Sequence, residues 1–335
     1  MDWSNGYSAR YYLQVVDPAT WRDIERVDIT TKGMIKRELT GKRESADIDC
    51  VDYDVGLEQW IRIYLDAEQD GSGVHIPLFT GIASSPSLDF NGNVSHVPLS
   101  CYSVLKPCED VALPLGWYAP AGAQGGDVIR RLLSVTPAPT VIADNAPALS
   151  QAIIAENKET HLTMIDKILG AINWRIRISG DGTIYVLPKA DTAVAVFDPL
   201  DNDMIETSVK VSADWYSAPN VYRATTGDIT GIARDESPDS PLSIGSRGRE
   251  VWLTESGVTL AANESVAQYA RRKLAEAQRI MQSASYTRRY LPDVVPGDLI
   301  QLHYPRQQID GIYSVKSQSI TLSHGASTAE TVTKE

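Results

Sequence analysis

Apolar and polar positions change period several times along the chain, most sharply in the stretch ETHLTMIDKILGAINWRIRISGDGTIYVLP, residues 159–188. Leu162, Ile165, Ile168, Leu169 and Ile172 recur at three- and four-residue intervals, which stacks them on one face of a helix. Thr160 stands where it can cap the start, and Asp166 and Lys167 face out. The period then drops to two. Trp174, Ile176 and Ile178 alternate with Arg175, Arg177 and Ser179, Gly180-Asp181-Gly182 turns the chain, and Thr183 to Leu187 returns. The pattern predicts a short helix whose buried stripe receives one face of a tight hairpin, with both arginines on the outward face. The turn residues are those that positive φ requires, so the cassette reads as a folding unit, not a catalytic one.

Period-two segments dominate both ends. Tyr11 to Val16, Ile24 to Thr30, Ala46 to Val51, Gln59 to Leu65, Ile76 to Ser84 and Pro86 to Cys101 read as strands, the last broken by the hairpin signal Asn91-Gly92-Asn93. After Pro107 the pattern becomes mixed: GWYAPAG (116–122) is loop-like, and Asp127 to Leu133 is helical until TPAPT stops it. Strands return at Glu206 to Lys210 and Asn220 to Thr225. The Asp-, Ser-, Pro- and Gly-rich segment Ala233 to Glu250 reads as an exposed, mobile loop. A second helix follows near 264–281, capped by Asn263, with Val266, Ala270, Leu274, Ala277 and Met281 as its stripe. Asp298 to His303, Ile312 to Val315, Ser319 to Leu322 and Glu330 to Thr333 complete the strands.

The two ends also echo one another. Gly56 precedes QWIRIYL and Gly81 opens the next strand, as Gly297 precedes DLIQLHY and Gly311 opens the next, the order a diverged duplication would leave. The expected class is α+β and β-dominated: two small antiparallel β-barrel domains, 1–105 and 193–335, with a helix-containing α+β insert at 106–192.

The chain has 335 residues and a formal net charge of −12, which opposes tight binding to nucleic-acid phosphates. No segment has the pattern of a signal peptide or the ~20 apolar residues of a membrane span, so no stable membrane insertion is expected. Cys50, Cys101 and Cys108 are odd in number, which favours reduced thiols over a disulfide framework. Cys101 and Cys108 with His96 are the nearest approach to a metal set, but paired ligand spacing is missing. The acidic linker Asp198 to Asp203 lacks the glycine and terminal glutamate of a calcium loop and reads as a solvated turn. Arg271, Arg272, Lys273, Glu276 and Arg279 read as a solvated helix face.

Two functional chemistries remain open on residue types. Glu156, Glu159, Asp198 and Asp201 could supply a glycosidase pair, although sequence places no two at catalytic separation. Trp3, Trp117 and Tyr118 could stack on a sugar in a receptor- or carbohydrate-binding module. GxSxG, HExxH, a Cys-His signature and a Walker loop are all lacking, so the reading assigns no catalytic, cofactor or metal residues.

The order of β-rich front, GWYAPAGAQGGDVIRRLLS, the helix-hairpin cassette, a second helix, LPDVVPGDLIQLHY and IDGIYSVKS resembles the baseplate or tail-tip hub proteins of tailed bacteriophages, a family that includes the hub of contractile tails and of VgrG-type spikes. The resemblance implies a homotrimer whose two barrels per subunit make a pseudo-sixfold ring. Such a ring joins the tail tube or distal tail protein to a central spike or fibre, around a channel for the tape-measure protein and for DNA in passage. It implies a virion component assembled in the host cytoplasm. Unlike some relatives, the sequence shows no appended spike, peptidase or lysozyme domain.

Overall fold

The structure is a computed structural model that describes residues 1–51, 53, 58–84, 89–91, 94–200, 204–213, 215–260, 264–279, 282–323 and 325–335. Gly56, Pro86, the Gly92-Asn93 turn, positions 201–203, the expected cap Asn263 and Met281 lie outside them. Seven strands open the chain: β1 (Ser8–Asp17), β2 (Arg22–Glu38), β3 (Glu44–Val51), β4 (Gln59–Gln69), β5 (Ser72–Ser84), β6 (Asp89–Asn91) and β7 (Val94–Ser103). The middle carries α1 (Lys106–Asp110), β8 (Tyr118–Ala119), α2 (Gly125–Leu133), β9 (Thr140–Ile142), β10 (Ile153–Ile154), α3 (His161–Ile172), β11 (Trp174–Ile178) and β12 (Ile184–Pro188). Then follow β13 (Ala193–Phe197), β14 (Ile205–Ala213), β15 (Val221–Thr226), β16 (Ile229–Arg234), α4 (Ile244–Arg247), β17 (Trp252–Ser256) and α5 (Val266–Arg279). The last strands are β18 (Gln282–Arg288), β19 (Leu299–Tyr304), β20 (Ile309–Thr321) and β21 (Thr328–Lys334).

The molecule is β-dominated with helices in the middle, as the periods predict. One 13-stranded sheet takes strands from both ends of the chain. In its front part β1 pairs with β4 on one side and β2 on the other, so pairing runs β1-β4-β5-β7-β3-β2 and returns to β1. Alternating apolar residues of these strands, Leu13, Ile35, Ile61, Ile63 and Phe79 among them, are fully buried in one cluster. In its rear part β13, β19, β20, β21, β18 and β14 follow one another around a second cluster built on Phe197, Ile300, Leu302, Val315 and Val332. The two parts join where β2 pairs with β20, Met34 opposite Thr321 and Glu38 opposite Ser317.

The 159–188 cassette forms as its period predicts. All five stripe residues of α3 are buried, and Thr160 accepts from Thr163 N while Thr163 Oγ1 accepts from Thr160 N, a reciprocal cap. The hairpin β11–β12 buries Trp174, Ile176, Ile178, Ile184 and Val186 in the same cluster, and β9 extends it by parallel pairing with β12.

Residues 221–279 add a unit the pattern did not separate: the sheet β16-β15-β17 with α5 packed on one face. Gly231 is required there, because a Cβ would fall 2.6 Å from the Val266 backbone, so α5 starts directly on the sheet. The described cap of α5 is Ser265, whose Oγ accepts from Gln268 N while Gln268 Oε1 accepts from Ser265 N. The segment 233–250 is not a free loop. Most of its residues are exposed, as its composition predicts, but buried Asn220 donates to the carbonyls of Leu242 and Arg249 and Gln278 donates to Asp235, so the segment is tied to the rest of the unit.

Candidate functional site

The metal candidates are dispersed. Cys50 and Cys101 lie in the front core and Cys108 in the insert core, all free and buried. Burial pushes the thiols of Cys50 and Cys108 up to about 12 and raises that of Cys101 as well, so none is a ready thiolate. His96 Nδ1 sits 3.4 Å from Asp49 Oδ2, a polar contact between β7 and β3. Among the described residues no cluster of three His, Cys, Asp or Glu side chains forms.

The carboxylates are organised by turns. Glu156 and Glu159 converge on Lys167, at 3.9 and 2.7 Å, and Glu159 Oε2 accepts from Glu156 N. Burial acts to raise the Glu159 carboxyl, but the bonds from Lys167 and Glu156 hold it below its ordinary value, the reverse of what a general acid needs. Asp198 Oδ1 accepts from Leu200 N at 2.8 Å, and Asp201 is outside the described residues.

The aromatic trio is also split. Trp3 is wedged edge-on between Tyr7 and Tyr290, Trp117 is half-buried against the insert core, and Tyr118 alone is well exposed, at 60%. On α5, Arg272 bridges Glu264 and Glu276, and Lys273 also reaches Glu276, so the charged face is largely self-neutralising, as read.

What the structure does build is a set of polar junctions between the insert and the large sheet. Arg62 on β4 donates from Nε to Thr80 Oγ1 (3.0 Å), from Nη1 to Asp23 (2.7 Å) and from Nη2 to the Asp181 carbonyl (3.0 Å). Trp21 Nε1 donates to the same carbonyl at 2.9 Å, and Thr80 Oγ1 donates to the Gly180 carbonyl at 2.7 Å. The hairpin tip is therefore seated on β4 and β5. Trp21 reaches it from a left-handed backbone (φ 57°), a conformation a tryptophan adopts only when its surroundings impose it. A Cβ at Gly180 would collide with the Pro77 carbonyl, so this glycine serves a close approach and not only the turn. The Asp181 carboxylate has the turn role expected of it, accepting from Thr183 N and Oγ1 and from Ser179.

A second junction corrects the sequence reading. Arg175 is not on an outward face: its side chain is 8% exposed and donates from Nη2 to Asp298 Oδ1 at 2.7 Å, while Asp298 Oδ2 accepts from Val295 N. The alternation would place Arg175 in water only if one face of β11 were open, and both are covered. A third junction pairs Arg43, beside β3, with Asp166 of α3. Nearby, Arg37 Nε and Glu44 Oε1 form a buried pair at 3.1 Å. Trp21, Arg62, Thr80 and Asp298 carried no signal in the sequence beyond residue type. Apart from Val295 N on Asp298, their partners lie 18 to 160 positions away.

Compared with solved structures, the chain matches tail proteins along nearly its whole length. A 43 kDa tail protein of prophage MuSo2 from Shewanella oneidensis superposes with a TM-score of 0.70 at 12% identity, covering 98% of each chain. A tail protein from Neisseria meningitidis MC58 gives 0.69 at 18% identity, over 99% of this chain and 97% of that one. Prophage tail protein gp18 from Listeria monocytogenes EGD-e gives 0.59 at 13% identity, over 97% and 94%. No protein-family model and no curated protein matches the sequence. At these identities the shared property is the fold alone, one also found in these three tail proteins.

Proposed function

We propose that the protein is a structural hub of a phage tail tip or baseplate, a virion component without catalytic activity. The observation that carries this reading is the two-way coverage: the architecture of the tail proteins is matched from end to end, insert included, rather than through one shared module. The junction geometry is consistent with it, since the side chains that tie distant segments together hold position and offer no reacting group.

In this reading the chain divides into barrel-like domains at 1–105 and 193–335 with the insert 106–192 between them. The pairing circuit of β1 to β7 and the six-strand succession of β13 to β21 support two comparable modules per subunit. Three subunits then supply six modules to a pseudo-sixfold ring, which turns the symmetry of a tail tube into that of a central spike or fibre. Ring formation would cover strand edges that otherwise invite aggregation. A net charge of −12 suits a passage through which tape measure and DNA move without adhering.

Electron microscopy of the purified protein with the tail-tube protein of its own particle tests the reading. Class averages are expected to show a threefold ring with six similar densities around an opening. Globular particles without an opening, in the presence of that partner, would contradict it.

A further inference from the structure

Between the insert and the rear strands lies a cleft of about 560 Å³. Its charged lining runs against the acidic character of the whole: Arg43, Arg175, Lys189, Lys316 and Lys334, against Asp166, Glu276 and Glu335. Two of the three acids are already engaged. Asp166 holds Arg43, and Glu276 holds Arg272 and Lys273 outside the cleft. Lys316 donates to the Ser314 hydroxyl at 3.2 Å and feels both the Glu335 carboxylate and the like charge of Lys189.

The arginines on the same wall are under-used as donors. Arg43 and Arg175 are each more than nine-tenths buried, and among the described residues Arg43 Nε and both Nε and Nη1 of Arg175 have no acceptor. Buried guanidinium N–H groups without acceptors are costly, but Arg43 and Arg175 are neutralised by Asp166 and Asp298, so the charge left for an arriving anion is that of the lysines. Burial, followed by the proximity of Lys189, also draws the Lys316 ammonium below its ordinary pKa despite Glu335. Leu39 and Leu299, both half-buried, give the cleft an apolar wall beside these charges.

We infer that this cleft receives an acidic segment of another polypeptide, with a carboxylate seated among Lys189, Lys316 and Lys334 and an apolar neighbour against Leu39 and Leu299. Side-chain ammoniums at the mouth suit a carboxylate approaching on a flexible chain, and the apolar wall suits the residue beside it. The inference holds whether or not the hub reading does.

The test uses the full chain and a fluorescein-labelled peptide of alternating glutamate and leucine, with the lysine–leucine peptide as its counterpart, read by fluorescence anisotropy. The acidic peptide is expected to bind and the basic one not, with binding weakened by salt. The double variant Lys189→Gln, Lys316→Gln should lose about tenfold or more in affinity, while Arg271→Gln on the exposed face of α5 should not. Circular dichroism melts identify any variant that fails to fold, and Lys189→Gln alone, at an exposed position, then carries the comparison. Equal binding of both peptides, or acidic-peptide binding indifferent to the lysine substitutions, would overturn the inference. So would displacement of the peptide by inorganic phosphate beyond what sodium chloride of equal ionic strength achieves, since that marks a small-anion site.

Discussion

Gly180 has no side chain because the Pro77 carbonyl occupies the space one would need. Gly180→Ala must move backbone against backbone and should cost about 3 kcal/mol, a drop of several degrees in Tm by calorimetry. An unchanged Tm would mean that the hairpin tip is not seated on β5. The Arg175–Asp298 pair makes a two-step prediction. Asp298→Ala strands a buried guanidinium and should cost about 3–5 kcal/mol in chemical denaturation, and adding Arg175→Met should recover much of that loss. Glu44 ties stability to pH. Burial raises its carboxyl to about 7, against the opposing pull of Arg37. A folded-state value above the unfolded one makes the contribution of this group full below about pH 4.3 and lost as pH rises through 7. Glu44→Gln mimics the protonated form, so its stability relative to the wild type should rise by about 1–3 kcal/mol between pH 4.5 and 7.5. A pH-independent difference between the two would contradict the raised value.

At the scale of elements, what was legible in the sequence was what is local. The stripe of α3, its Thr160 cap and the β11–β12 turn each lie within a few positions, where spacing dictates which side chains share a face. Thr160→Ala, which removes one half of the reciprocal cap, should cost about 1 kcal/mol. Thermal unfolding followed by far-ultraviolet circular dichroism would read that loss, and no change would mean the helix start is held by tertiary packing alone. The illegible parts are set by distant segments. Arg175 alternates as an outward residue should, and only the arrival of Asp298 from 123 positions away makes it a core residue. The parallel pairs β9–β12 and β15–β17 leave no hairpin signal, because no turn joins them. Composition read 233–250 as exposed, which it largely is, but could not register that Asn220 satisfies two of its carbonyls. The basic residues of the cleft were not brought together in advance for the same reason: Arg43, Arg175, Lys189, Lys316 and Lys334 are far apart along the chain.

For the molecule as a whole, the deciding feature is the seam where β2 meets β20. It joins the first forty residues to the last twenty, so the two strand sets form one sheet rather than two tethered bodies. The insert is then joined to that sheet at Asp181, at Arg175 and at Arg43, and association of the subunit with copies of itself is the next step. The hub account rests on that association. Multi-angle light scattering of the purified chain, alone and with the tail proteins of its own particle, measures it directly. The account predicts a species of three times the 36.7 kDa chain mass, either alone or on addition of those partners. A chain that stays at the monomer mass in both conditions would contradict it.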